Sequence, residues 1–377
     1  MPVLPASWRG SVISFMKKFK VGILGATGMV GQNYIKLLRN HPWFTVTHVA
    51  ASANSAGVSY ERSVAGRWQM PVPIPENVKS LIVADVANIK AAKKRCDFVF
   101  SAFELPDKNL IKKMEEKYAA AGIPVVSNAS ANRWTEDVPM LIPEINHRHL
   151  EIIPVQKINR GWKKGFIVTK PNCSLQSYIT PIFAIIQAGY RIEKIFIATL
   201  QAVSGAGYPG VPSLDMIGNV VPFIAGEEDK TEEEPLKILG SIKKGKFANT
   251  NFLKISAHCN RVPVADGHLA CVSFKFNGKK PKREEIIKIW QKFRALPQEL
   301  ELPFAPLRPI IYRREDNRPQ PRKDRDAEKG MAVTIGRLRK CKIFDYKFAA
   351  ISHNTVRGAA GGGILNAELL VKKGYIS

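Results

Sequence analysis

One thiol in this sequence stands where covalent chemistry is favoured. The stretch Thr169-Lys170-Pro171-Asn172-Cys173-Ser174-Leu175-Gln176 follows an apolar, strand-like run, Phe166-Ile167-Val168, and precedes a helix-like run from Ser174 to Gly189. At the mouth of a helix, unpaired N–H groups and the helix dipole favour the thiolate. Asn172 and Ser174 can add hydrogen bonds to the sulfur or to a nearby oxyanion. The competing reading is a buried cysteine acting as a small apolar residue. Further along, Arg261 and His268 flank a tight Asp266-Gly267 turn, which would let both face one cleft; a lone histidine at a strand start is otherwise a structural residue. Glu227 and Lys230 stand three apart, so a helix would put opposite charges on one face, and a solvated charge run is the plainer alternative.

These groups need a scaffold, and the N-terminal part supplies a recognisable one. Lys20-Val21-Gly22-Ile23-Leu24 reads as a buried strand running into Gly25-Ala26-Thr27-Gly28-Met29-Val30-Gly31 and an amphipathic helix with Val30, Tyr34, Leu37 and Leu38 on one face. Glycines at these spacings let the backbone turn tightly, approach a pyrophosphate and pack helix on strand, and the helix N-terminus supplies donors for the phosphate. The second strand, Thr45 to Ala51, ends in Ser52-Ala53-Asn54-Ser55, neutral hydroxyls and an amide where an NAD site would usually carry Asp or Glu. That favours NADP, because no carboxylate repels the extra phosphate.

Asp97 to Ala102 and Val125 to Asn128 are further buried strands, with a helical segment from Asp107 to Ala121 between them. Such alternation implies a parallel sheet with helices on its faces. Arg133 follows the second of these strands, at the end where such sheets bind ligands, though a solvated arginine reads equally well. Beyond Cys173 the pattern changes. Ile195 to Gln201 is a strand leading into a glycine-rich loop, Ser204 to Gly210. Long strands then follow without helices between them: Ser256 to Val264, His268 to Phe276, Met331 to Arg339 and Lys342 to Ser352. They predict an antiparallel or mixed sheet in a second domain. Phe304 to Lys329 reads as a surface excursion, and Asn354 opens a small-residue helix running to Lys372.

Composition narrows the function classes. The 377 residues leave room for two domains. No apolar run reaches the roughly 18 residues of a membrane span. The formal charge is +25, yet Lys and Arg are scattered and no long basic run with interleaved aromatics marks a nucleic-acid site. A basic surface also suits phosphorylated, acidic small molecules, or reflects a basic proteome. Five widely spaced cysteines suit a reducing cytoplasm rather than a disulfide framework. His258, Cys259, His268 and Cys271 cluster in sequence, but they alternate as in strands and lack a paired C-x-x-C knuckle, so no metal is expected. Residues 1–18 read as an N-terminal extension: a disordered tail or an upstream start, rather than a targeting peptide.

In combination, Pro171-Asn172-Cys173-Ser174, Gln201 followed by Ser204-Gly205-Ala206-Gly207, Arg261 with His268, and Asn354 through Asn366 resemble aspartate-semialdehyde dehydrogenases of the archaeal and fungal branch. The resemblance runs from about Lys18 to Ile376. It implies an α/β fold: a Rossmann-like parallel-sheet NADP domain, residues 19–169 completed by 354–377, plus a mixed α+β catalytic and dimerisation domain, residues 170–353. The implied reaction is reversible reductive dephosphorylation of 4-phospho-L-aspartate to L-aspartate 4-semialdehyde, with NADP (or NAD), for threonine, methionine, isoleucine and, by some routes, lysine synthesis. Cys173 matches the family's nucleophile, His268 its acid/base, and Gln201 the residue orienting the acyl intermediate. Arg261 matches the grip on the substrate carboxylate, Glu227 the carboxylate facing its ammonium, and Arg133 with Lys230 the phosphate-holding pair, beside Asn172. Gly25, Thr27, Gly28, Met29, Val30, Gly31, Ser52, Ser55, Ser204, Gly205 and Asn354 match the cofactor-binding set. Arg357 stands where many bacterial members carry Trp. The expected assembly is a homodimer or homotetramer binding aspartyl phosphate and phosphate, without nucleic acid or membrane partners. A malonyl-CoA or succinyl-CoA reductase on the same scaffold is the alternative.

The residue types suit that chemistry. A thiolate attacks an acyl phosphate to give a thioester and free phosphate, and hydride then reduces the thioester carbon. A histidine titrating near neutrality would take the thiol proton and return one to the tetrahedral oxygen. Arginine clamps a carboxylate through two hydrogen bonds, while lysine serves phosphate as a point charge.

Overall fold

A computed structural model of the chain describes residues 18–377. The expectation for the N-terminal extension falls, apart from Lys18, outside them. Six short strands form the first sheet: β1 (Phe19–Leu24), β2 (Phe44–Ala51), β3 (Ala84–Asp85), β4 (Phe98–Ser101), β5 (Val125–Ser127) and β6 (Ile167–Thr169). All are parallel, in the order β3-β2-β1-β4-β5-β6. Every residue of β4, β5 and β6 is buried, the pattern of a sheet covered on both faces. From β1 the chain turns outward to β2 on one side and β4 on the other. That reversal opens a crevice at the strands' carboxyl ends, where α/β sheets take their ligands.

The helix Met29–Leu37 follows β1, and its Tyr34 ring stacks on Phe100 of β4 with centroids 4.3 Å apart. Such a pair adds about 0.5–1.5 kcal/mol beyond its buried area. The C-terminal helix, Gly361–Lys372, buries Ile364, Leu365, Leu369 and Leu370 in the same core as Val21, Ile23, Phe98, Phe100, Val126 and Val168. The last segment of the chain is thus part of the first sheet's core. The helix Lys108–Ala120 covers the other face, and Asp107 caps it by accepting from the Asn109 N–H at 2.8 Å.

The second sheet is built from β7 (Ile192–Gln201), β10 (Lys254–Arg261), β11 (His268–Phe276), β12 (Ile310–Arg313), β13 (Val333–Lys340) and β14 (Tyr346–Ser352). A hairpin, β8 (Ser241–Lys243) and β9 (Lys246–Ala248), stands apart. The order is β10-β7-β11-β14-β13-β12, with β10/β7 and β12/β13 parallel and the remaining pairs antiparallel, so the sheet is mixed. One face packs on the helices Ile179–Gln187 and Arg283–Lys292, whose Ile179, Ile182, Ile286 and Trp290 join Ile195, Val272, Phe274 and Phe348.

Two sequence expectations need correction here. Helix Arg283–Lys292 lies between strands that were expected to follow one another directly: its Ile286, Ile287 and Trp290 make one buried face between lysines. The supposed surface excursion at Phe304 to Lys329 contains β12, whose Ile310 is buried where it pairs with Val333 of β13. Among the described residues no helix is long and apolar enough to cross a membrane.

Candidate active site

Strand β6 delivers Lys170 to the edge of the first sheet, where its N–H bonds the Ser127 carbonyl at 2.8 Å. The next residues turn sharply. Cys173 precedes a 3-10 turn, Ser174–Ser177, and the α-helix starts only at Ile179. The Asn172 side-chain oxygen accepts from both the N–H and the hydroxyl of Ser174, at 2.7 and 2.9 Å. The donors expected to favour a thiolate are therefore partly spent within the turn. Burial, reinforced by the negative charge of Glu227, pushes the Cys173 thiol up to about 11, against the pull of Lys170, Arg133 and Arg261. The expectation of a lowered thiol pKa is overturned: desolvation outweighs the short turn.

Behind the thiol runs the helix Glu227–Ile238, and its inner face is polar. Glu227 accepts from the Asn172 amide at 2.9 Å and the Gln201 amide at 3.1 Å. Lys230, one turn on, pairs with Glu227 at 3.3 Å and keeps partial solvent contact. Thr231 Oγ1 donates to the Glu227 carbonyl at 2.8 Å, and its own carbonyl accepts from the Tyr178 hydroxyl at 2.8 Å. Glu234 takes the Arg133 guanidinium at 2.7 Å and the Asn172 backbone N–H at 2.6 Å. Lys237 donates to the carbonyls of Arg133, Thr135 and Val138.

Across the cleft, a methyl group placed on Gly205 would lie 2.8 Å from Arg261 Nη1 and 3.1 Å from His268 Nε2, so the two side chains converge on one point. His268 Nδ1 accepts from the Ala202 N–H at 3.1 Å, which leaves the ring proton on Nε2. That nitrogen is buried and has no partner among the described residues. Burial, with the Arg261 charge beside it, lowers the imidazole to about 3. The expected near-neutral histidine is thus replaced by a neutral donor aimed into the cleft. Asn354 joins this wall: its side chain accepts from the Gly267 N–H and donates to Ser204 Oγ, both at 2.8 Å.

The phosphate pair expected from sequence is not equivalent in the fold. All three of Arg133's polar positions are engaged, with Lys170 O at 3.1 Å, Glu234 at 2.7 Å and Asn128 O at 3.2 Å. Its side chain is 9% exposed against 26% for Lys230. Lys230 thus keeps more solvent contact than Arg133, whose guanidinium is held on three sides.

Further along the cleft, Gly25 adopts φ +79, a turn that favours glycine, and a side chain at Gly31 would run into the Gly25 carbonyl. A methyl group on Gly28 would meet only that carbonyl, at 3.6 Å, so this side of the loop is open. The N–H groups of Met29, Val30 and Gly31 have no acceptor within their own helix. Gln32 holds the Thr27 carbonyl at 2.9 Å. Ser52 and Ser55 bracket an exposed 3-10 turn at the end of β2. An open backbone cradle at the sheet's reversal point, with hydroxyls on its flank, fits a dinucleotide. Of the residues considered for metal, Cys259 is buried against Thr231 while His258 and Cys271 are exposed. Among the described residues no three His, Cys, Asp or Glu side chains converge as ligands.

Two family models match this chain. "Semialdehyde dehydrogenase, NAD binding domain" covers residues 20–153, and "Semialdehyde dehydrogenase, dimerisation domain" covers 182–357. An aspartate-semialdehyde dehydrogenase from Archaeoglobus fulgidus is 46% identical over 363 residues, 95% of this chain and 100% of that one. The chain belongs to the aspartate-semialdehyde dehydrogenase family. A Saccharomyces cerevisiae member is 38% identical over 366 residues, 94% of this chain and 98% of the relative. The crystal structure of the Candida albicans aspartate-semialdehyde dehydrogenase with NADP superposes with a TM-score of 0.87 at 37% identity, covering 96% of this chain and 100% of that one. These relatives, named alike, do not favour the acyl-CoA reductase alternative.

Within this aspartate-semialdehyde dehydrogenase family member, three buried charges, Glu234, Lys237 and Lys170, were given no role by the sequence reading, and a fourth, Arg357, was noted there without its partners. Glu234 and Lys237 continue the inner face that begins at Glu227, so a seven- and ten-residue spacing was the available signal. Lys170 is fully enclosed and donates to the carbonyls of Pro171 and Gly358; burial lowers it to about 7. Arg357 donates to Glu144, to Gln176 at 3.2 Å and to Thr180 at 3.4 Å, tying the C-terminal π-turn to the turn after Cys173. Gly358 sits against Cys173: a methyl group there would lie 2.8 Å from Cys173 Cβ.

Proposed function

We propose that the chain catalyses NADP-dependent, reversible reductive dephosphorylation of 4-phospho-L-aspartate to L-aspartate 4-semialdehyde. The observation that carries this reading is the unpartnered, buried Nε2–H of His268 beside Arg261, in the cleft that also holds the Cys173 thiol. Cys173 sulfur attacks the acyl carbon and phosphate leaves, giving a thioester. For His268 to take the thiol proton at Nε2, its own ring proton must first shift to Nδ1, which gives up the hydrogen bond from the Ala202 N–H. His268 Nε2–H then stabilises the tetrahedral oxygen, and Gln201, held by Glu227 and Thr199, orients the acyl group. Arg261 takes the substrate carboxylate, Glu227 its ammonium, and Lys230 the phosphate.

The glycine loop at 25–31 and the Ser204–Asn354 pair would hold the dinucleotide. When bound, it supplies the hydride that reduces the thioester carbon. The fold of the NADP-bound Candida relative and the absence of an acidic residue from Ser52 to Ser55 support NADP over NAD. The division into a dinucleotide unit (19–169 with 354–377) and a catalytic and dimerisation unit (170–353) follows the two sheets. Five free cysteines fit a cytoplasmic setting. The test is NADP reduction with aspartate semialdehyde, with and without phosphate. Phosphate-dependent reduction is expected; no reduction, or reduction indifferent to phosphate, overturns the reading.

The assembly is read as a homodimer, or dimers paired into a homotetramer. Leu214, Ile217 and Phe223 are 86%, 74% and 70% exposed within the stretch matched by the dimerisation model, apolar side chains that a second copy would cover. Light scattering should give at least twice the 41.9 kDa chain mass, and Ile217→Asp with Phe223→Asp should lower it to one chain. A monomeric parent protein would remove the proposal.

A further inference from the structure

We propose that Glu234 is a positioning residue for the nucleophile, its carboxylate holding the backbone before Cys173 and the Arg133 guanidinium in one fixed arrangement. The inference rests on the functional reading above and extends it to a residue that reading leaves unused. Glu234 is 0% exposed, and its two oxygens divide their work. One accepts from Arg133 Nη1 at 2.7 Å, the other from the Asn172 N–H at 2.6 Å. Arg133 Nε in turn donates to the Lys170 carbonyl at 3.1 Å. The result is a closed ring of hydrogen bonds around the peptide units of Lys170, Pro171 and Asn172.

Proline has no N–H, so the Asn172 N–H is the first backbone donor after β6 lets go at Lys170. Glu234 captures it. With the Asn172 amide on Glu227 and its side-chain oxygen on Ser174, the residue before the thiol is held from three sides. The second job is electrostatic. The charges acting on the thiol are Glu227, which disfavours the thiolate, and Lys170, Arg133 and Arg261, which favour it. Glu234 neutralises one of the favouring charges, so it limits how far Arg133 stabilises the thiolate while keeping that cation in place. A residue that only filled space would do neither.

The experiment compares the parent protein with Glu234→Gln and with the double variant Arg133→Gln/Glu234→Gln. The rate of Cys173 alkylation by iodoacetamide is read by peptide mass spectrometry, alongside kcat and NADP affinity. Glutamine can still accept one hydrogen bond but cannot balance the guanidinium. Alkylation at mildly alkaline pH is therefore expected to rise about tenfold, the effect of a thiol pKa lower by about one unit. kcat should fall at least about tenfold as the ring loosens, with NADP affinity unchanged. The double variant should return alkylation towards the parent rate. A fall in kcat without the alkylation change, or no change in either, overturns the proposal. If Glu234→Gln does not fold, Glu234→Asp takes its place: it keeps the charge but withdraws the carboxylate, so lower kcat at constant NADP affinity supports the proposal and unchanged kcat overturns it. A parent protein inactive with aspartate semialdehyde would end the functional reading, while the alkylation comparison would still decide the role of Glu234.

Discussion

Replacing Cys173 by alanine should reduce phosphorylating turnover by about four to six orders of magnitude, the scale on which nucleophile deletions act. No other thiol can take over. Cys259 is buried behind Thr231, Cys96 closes the helix Ile89–Arg95, Cys271 is exposed on β11 and Cys341 lies in the loop after β13. NADP affinity, followed by fluorescence titration, should be unchanged, because the glycine loop is built by β1 and the helix Met29–Leu37. Activity within about tenfold of the parent would remove the thioester from the mechanism. The raised thiol pKa adds a pH signature. With the sulfur pushed up to about 11, the free enzyme carries little thiolate at neutral pH, and alkylation should climb about tenfold per pH unit towards that value.

Glutamine in place of His268 should lower kcat by about 10²–10⁴-fold, the usual worth of a positioned acid–base group. The sign of its pH dependence follows from burial. An imidazole lowered from 6.5 to about 3 stays neutral through the physiological range, so no limb near pH 6.5 should arise from it. Between those two values the unfolded chain binds a proton that the folded chain refuses. This histidine therefore lowers the fold's stability as pH falls through that window. A limb near pH 6.5 that disappears in His268→Gln would contradict the buried, neutral ring. Stopped-time assays across pH and thermal unfolding at several pH values check both statements.

Much of the first sheet was legible because buried parallel strands write themselves as apolar runs. Asp97 to Ala102 and Val125 to Asn128 end within a residue of β4 and β5. β3 was not legible: two residues, Ala84 and Asp85, carry no periodicity. β12 was hidden because Ile310 and Ile311 lie among prolines and arginines whose pattern is that of a loop, and only pairing with β13 makes them a strand. The site divides in the same way. Motifs close in sequence pointed to Cys173, Arg261 with His268, and the glycine loop. Pairs that meet across the fold gave no local sign: Arg133 and Glu234 are 101 positions apart, and Arg357 and Glu144 are 213. The protonation states went wrong for the same reason. A helix mouth is a local property, whereas the dehydration that governs Cys173 and His268 depends on chain segments far away in sequence.

The contact between Lys170 and Gly358 spans 188 positions and brings the segment before the helix Gly361–Lys372 against the residue that bears the sulfur. A ribosome adds residues at about 5–20 per second and releases the N-terminal portion first. The strands of both sheets, the last ending at Ser352, are therefore made before Gly358 can reach the thiol. The thiol's cover on that side is thus laid onto two sheets whose strands have already been made.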